Sequence, residues 1–292
     1  MNSAAIKIAL AGLAVGLYAW QALAPADPSA EAAGPSPEQI AALSQKVKTL
    51  FSEDRYRDAL EPAKKLVAAY PDNELYLDRL ATVYHHLNRP SEEAEQWERY
   101  MMVSPTPEDA CAHLDHAYQA LHDRTRQTSA AERCLAHDGR NPDFIFTVAH
   151  LREMAGDFKT AAELYERGIR LAPEDFDLQI GLGRARLHMG HTREALALAE
   201  WIVRERPDNA DALLLLGMCR WSAGDNESAR KALERGVAVA ENYADIHFLL
   251  GRVAEAEHQE VVARAQYQRV LQLEPDNRQA RQLLARLGGV NQ

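Results

Sequence analysis

What this sequence lacks narrows it first. Three cysteines in 292 residues are too few for a dense disulfide framework or a four-cysteine zinc site. Only 15 glycines and 13 prolines are present, which excludes collagen-like and low-complexity chains. An excess of positive charge is missing too: Lys and Arg total 33 against 43 Asp and Glu, a formal net charge of −10. Such a surface neither displaces counterions from nucleic-acid phosphates nor grips anionic lipid through a polybasic patch. No G-x-S-x-G, G-x-x-x-x-G-K-[ST] or H-E-x-x-H occurs, so no familiar nucleophile, phosphate-loop or zinc-hydrolase motif is on offer. What is there is 47% apolar residues with a mean hydropathy of −0.39, the balance of a folded, water-facing body.

The apolar exception is at the start. Ile8 to Ala24 is uncharged, with Lys7 before it and Tyr18 and Trp20 near its far end. Counted from Ala4, about 21 residues suffice to span a bilayer, with Lys7 snorkelling to the headgroups and the rings at the interface. Residues 1–24 therefore read as a signal-anchor. The rival is a cleaved signal peptide, since Ala22-Leu23-Ala24 has the small-x-small pattern, although Pro25 directly follows that site. With Lys7 inside, the remainder lies on the exported side. Residues 25–39, carrying Pro25, Pro28, Pro35 and Pro37 among Ala and Ser, read as a semi-extended linker.

Everything after the linker repeats. Segments beginning at Ile40, Glu74, Glu108, Pro142, Phe176, Ala210 and Ala244 align with a stride of 34 and no gap. Position 7 is apolar in six of them (Leu80, Leu114, Val148, Leu182, Leu216 and Leu250) and is Lys46 in the first. Position 8 is Val47, Ala81, Asp115, Ala149, Gly183, Gly217 and Gly251; position 20 is Ala59, Glu93, Gln127, Ala161, Ala195, Ala229 and Ala263. Apolar residues at helical spacing surround a turn marked by Gly156, Gly190 or Gly224, predicting two helices per repeat. Small residues at positions 8 and 20 let the pair approach closely. Pro-Asp-Asn at 71–73, 207–209 and 275–277 ends one repeat and supplies an Asx cap for the next helix. One such unit cannot bury its apolar face alone, so the units stack. Arg278 to Leu287 reads as a closing helix within 278–292.

These residues resemble the tetratricopeptide repeat family, with seven repeats at 40–73, 74–107, 108–141, 142–175, 176–209, 210–243 and 244–277. The resemblance is strongest in the last four. It implies an all-α, right-handed superhelical solenoid of helix pairs whose first helices line a concave groove. It implies no chemistry, and the repeats leave no room for a catalytic domain, so the protein is expected not to be an enzyme.

In that family, positions 2, 5, 9, 12 and 13 of the first helix face the groove. Carried over, position 5 gives Phe146, Ile180, Leu214 and Phe248; position 9 gives His150, Arg184, Met218 and Arg252; position 12 adds Trp221. An aromatic, aliphatic and arginine surface suits a helical or extended peptide of another protein. Position 5 equally suits packing between neighbouring helices. Arg152, Arg186 and Arg220 recur at position 11, either to hold an acidic partner or to pair with carboxylates of adjoining repeats. Asp109, Asp143, Asp177, Asp211 and Asp245 recur at position 2, where a first-turn carboxylate favours the helix dipole.

The third repeat departs from the rest. It holds Cys111, His113, His116, His122, Cys134 and His137, and Ser129 to Glu132 matches a capping box that would start its second helix near Ala130. Three readings stand. Cys111 and Cys134 face each other on antiparallel helices and would form a disulfide on the exported side, leaving one free thiol, Cys219, in denatured unreduced protein. His113, His116, Cys134 and His137 would instead ligate zinc or copper, without a specific motif. Or the residues are scattered. We expect no metal and no cofactor.

The expectation is a scaffold, single-pass in a bacterial inner membrane with periplasmic repeats, or periplasmic and secreted if the signal is cleaved. Its partners would be another protein and, through the anchor, the membrane, with no nucleic acid. Anchored repeat proteins of bacterial envelopes serve c-type cytochrome maturation, outer-membrane protein insertion or polysaccharide export. The rival functions are a metal- or haem-handling chaperone built on the third repeat, and a self-associating structural homo-oligomer.

Overall fold

The computed structural model describes residues 35–288; the anchor segment 1–24 lies outside them. Fifteen helices and no strands make up the described chain. They are α1 Pro37–Ser52, α2 Tyr56–Ala69, α3 Glu74–His86, α4 Pro90–Val103, α5 Glu108–Ala120, α6 Arg124–His137, α7 Pro142–Met154, α8 Phe158–Leu171, α9 Phe176–His188, α10 Thr192–Glu205, α11 Ala210–Ser222, α12 Asn226–Val239, α13 Ala244–Ala256, α14 Glu260–Leu273 and α15 Arg278–Arg286. From the second repeat on, first helices run from position 1 to 13 and second helices from 17 to 30, so the stride of the sequence is the stride of the structure. Among the described residues, no helix is long and apolar enough to cross a membrane.

Two compact units divide inside α5, at Ala117 and Tyr118. In the first unit α1 to α4 pack in sequential pairs, around Leu50, Ala59 and Val83 in the first two repeats. In the second, α7 to α15 pack each on the next, with successive cores around Tyr165, Ile202, Leu233 and Tyr267.

Caps set the register. Asn73, Asn141, Asp175, Asn209 and Asn277 each precede a first helix or α15, and their side chains accept backbone N–H groups of its first turn. Each such cap stabilises by about 1 kcal/mol. Asp123, Asp157 and Asp225 do the same for second helices. The late start expected for the third repeat's second helix is therefore corrected. α6 begins at Arg124, because Asp123 accepts from Arg126 N at 3.0 Å and makes the Ser129 box unnecessary. The first helix likewise begins at Pro37 on a Ser36–Gln39 capping box, inside the segment assigned to the linker.

The turn at position 15 is left-handed throughout. Gly156, Gly190 and Gly224 supply φ of 80–83°, while Asp54, Asn88, His122 and His258 adopt 54–59° there. Position 8 needs a small residue for a reason the pattern only half indicated. A Cβ on Gly251 would lie 2.4 Å from the Tyr267 ring, and one on Gly217 would lie 2.6 Å from Leu233. At these two the close neighbour is the large residue at position 24, whereas a Cβ on Gly183 would lie 2.4 Å from Leu215 of the next repeat; the alanines of position 20 are fully buried.

Candidate functional site

At four seams position 12 of a first helix meets position 9 of the next helix pair or of the closing helix. Glu153 accepts from Arg184 at 2.8 and 3.1 Å. Trp221 carries the Arg252 guanidinium 5.3 Å from its ring centroid. Glu255 accepts from Arg286 at 2.5 Å. In the first unit, His85 meets His116, with ring centroids 5.3 Å apart.

The Glu153 seam is a network. Tyr165 Oη donates to the same carboxylate at 2.9 Å, and His150 Nδ1 lies 3.8 Å away. Burial alone would raise the Glu153 pKa, but His150, Arg184 and Tyr165 outweigh it and hold the carboxyl down at about 2. The phenol of Tyr165 is pushed up, by burial first and by the Glu153 charge second. Three repeats later the arrangement recurs: Tyr267 Oη donates to Glu255 at 2.7 Å, with Arg286 in the place of Arg184. Arg184, expected to meet a partner, is thus committed to its own fold.

The arginine ladder resolves the same way. Arg152 pairs with Glu132, Arg186 with Glu166 at 3.0 Å, and Arg220 with Glu200. Each arginine reaches 20 residues back, from position 11 to position 25 of the preceding repeat. A second stitch ties Arg99 to the Pro71 carbonyl at 2.8 Å and Arg235 to the Pro207 carbonyl at 3.3 Å.

Position 5 is mixed. Ile180 is 2% exposed in the core around Ile202, so as a groove residue it is corrected to a packing residue. Phe146, Leu214 and Phe248 are half-buried, each packed against a core cluster with one edge left over. His150 stacks on Phe146, centroids 6.0 Å apart. Met218, Trp221 and Arg252 are half-exposed on α11 and α13. Cys111 and Cys134 are each buried in their own units, and Cys219 is a buried free thiol whose pKa burial pushes up to about 12.

Carboxylates mark the remaining surface. Asp177 and Asp245 have raised pKa values, from burial first and then from neighbouring carboxylates that include Asp211 in both cases. Each position-2 aspartate lies in the first turn of its helix, where a carboxylate favours the helix dipole. Tyr243 Oη donates to Asp211.

The first unit has its own concavity, about 660 Å³, lined among others by Glu74, Asp78, Glu108 and Asp109 beside Trp97, Tyr100 and His113. Burial raises the Asp78 pKa, and His113 stacks on Trp97 at 4.3 Å with a pKa lowered chiefly by burial. Sequence reasoning passed over this site. The available signals were Leu75, exposed at the position-2 place of the aspartates, and Glu93, standing where other repeats have alanine.

Tetratricopeptide repeat family models match residues 154–202, 180–240 and 220–261. Among solved structures, a tetratricopeptide repeat protein from Parabacteroides merdae is similar, with a TM-score of 0.71 and 13% identity over 85% of this chain and 98% of that one. TTC0263, a tetratricopeptide protein of Thermus thermophilus, gives 0.58 at 19% identity over 63% and 100%. The APC/C hetero-tetramer Cut9-Hcn1 gives 0.59 at 17% over 84% and 55%. Among curated proteins, none matches the chain significantly.

Proposed function

Because this chain is a tetratricopeptide repeat protein, we propose that it is a non-enzymatic docking scaffold for a cation-bearing segment of another protein. The observation that carries this reading is the set of carboxylates at position 2 and beside it, Asp177, Asp211 and Asp245 in the second unit and Glu74, Glu108 and Asp109 in the first. Asp177 and Asp245 are already raised in pKa by burial and by neighbouring carboxylates, and a crowded set of acids is stabilised when Lys or Arg side chains arrive. The half-buried edges of Phe146, Leu214 and Phe248, with Met218 and Trp221, supply apolar contact between those charges. This reading gives the net acidity a role: it selects a basic amphipathic segment.

The uncharged run Ile8 to Ala24 supports a tether in a bacterial inner membrane, with the repeats on the periplasmic side. On that side, assembly of an envelope complex is the role we assign, with c-type cytochrome maturation, outer-membrane protein insertion and polysaccharide export as the candidate processes.

Crosslinking in intact cells, followed by mass spectrometry, identifies the captured segment. The triple variant Asp177→Asn, Asp211→Asn, Asp245→Asn is then expected to weaken its binding at least tenfold with helicity unchanged. Binding that is indifferent to this variant and to added salt overturns the acidic groove. Arg184 is a poor probe of docking, since its loss unpairs Glu153.

A further inference from the structure

We infer that the seam between the second and third repeats is a divalent transition-metal site of the zinc class, ligated by His85, Glu93 and His116. One ligand atom of each residue lies within 4.8 Å of the other two. The pair already in contact, His85 Nδ1 and Glu93 Oε1, is 3.0 Å apart. Two ligands at about 2.0–2.1 Å on a tetrahedral zinc stand roughly 3.3 Å apart, so that edge is nearly formed. His116, exposed on α5, closes the third corner by a rotation of its ring. Two imidazoles and one carboxylate leave a fourth position open to water, and this donor set favours zinc, copper or nickel over magnesium or calcium.

The burial of Glu93 makes this more than a surface coincidence. Its side chain is 3% exposed on α4, and its ion-pair partner is a histidine, not a lysine or arginine. A buried carboxylate is costly unless its charge is met. Elsewhere position 20 is alanine in five of the seven repeats, so the fold has no need of an acid there. Positions 12 and 9, which supply a Glu–Arg pair between the fourth and fifth repeats, supply two histidines here. Three seam positions have thus changed together from packing or ion pairing to metal-ligating chemistry. The ligands come from three helices, α3, α4 and α5, so a bound ion would clamp two repeats.

The test uses full-length protein without a histidine tag, in detergent and stripped by a chelator, titrated with Zn²⁺ and with Co²⁺ as a spectroscopic probe. One equivalent is expected to bind, with Co²⁺ developing visible absorption. Glu93→Ala restores the residue of the other repeats and His116→Ala alters an exposed ring, so both fold. Each is expected to weaken binding at least tenfold, while His258→Ala leaves it unchanged. Absence of a stoichiometric site, or a site indifferent to both variants, overturns the inference; the pair His85–Glu93 is then a hydrogen bond and nothing more.

Discussion

The seam between the fourth and fifth repeats and the seam between the second and third occupy the same places in their repeats, yet they solve opposite problems. At Glu153 a half-buried carboxylate is met by Arg184 and Tyr165, and the charges close on themselves. At Glu93 a buried carboxylate is hydrogen-bonded by the imidazole of His85, near His113 and His116, with no arginine or lysine partner among the described residues. The first arrangement is self-contained. The second keeps donor atoms for something else. A solenoid fixes where the seam positions stand and leaves their chemistry free, so structural and binding seams coexist in one architecture.

The sharpest way to break the comparison is to remove each acid. Glu153→Ala strands a half-buried guanidinium and a buried phenol, and it should destabilise by about 2–4 kcal/mol in urea unfolding. Glu93→Ala should be neutral or stabilising in metal-free protein, because it removes a buried charge and installs the residue of the other repeats. Similar losses in both variants would show that Glu93 is as structural as Glu153.

Acid separates the seams next. The Glu153 pKa is held at about 2, below its ordinary value near 4.5. The folded state thus binds its proton more weakly than the unfolded state does. The stabilisation is fully present above pH 4.5 and is lost as pH falls towards 2, on the order of 3 kcal/mol at its full extent. The stability gap between the native protein and Glu153→Gln should therefore close between pH 4.5 and 2. A gap that stays constant over that range would remove the ionised carboxylate from the account.

Much of this was legible in advance, for physical reasons that differ by residue. The helix pairs, their turns and the Asx caps follow from local spacing, and Asn73, Asn209 and Asn277 cap as their Pro-Asp-Asn context predicts. Arg184 and Ile180 were misplaced because a position number tells which face a side chain occupies, not what the next repeat puts opposite it. Glu153 and Tyr165 are 12 residues apart and Glu153 and Arg184 are 31 apart, so their network appears only once repeats are stacked. The late start imagined for α6 failed because Ser129 and Glu132 match a capping box locally, while Asp123 was already capping the helix. Glu93 was visible as an acid in a column of alanines, but its meaning depended on His85 and His116 meeting across a seam.

The smallest effect tests whether the two seams differ in chemistry alone or also in the turn that follows each. After Glu153 the left-handed position is Gly156 at φ 80°, and after His85 it is Asn88 at φ 54°. A left-handed backbone costs most residues about 1–2 kcal/mol but costs Asn less, since its side chain bonds locally. A Cβ on Gly156 would meet nothing within 4 Å, so strain is the only penalty for replacing it. Gly156→Asn and Asn88→Gly should therefore each change stability by about 0.5 kcal/mol or less, whereas Gly156→Val should cost more than about 1 kcal/mol. Neither Asn88→Gly nor Gly156→Asn should alter Zn²⁺ binding. If Asn88→Gly instead loosens the metal site, the turn helps to aim His85, and the two seams differ in backbone as well as in side chain.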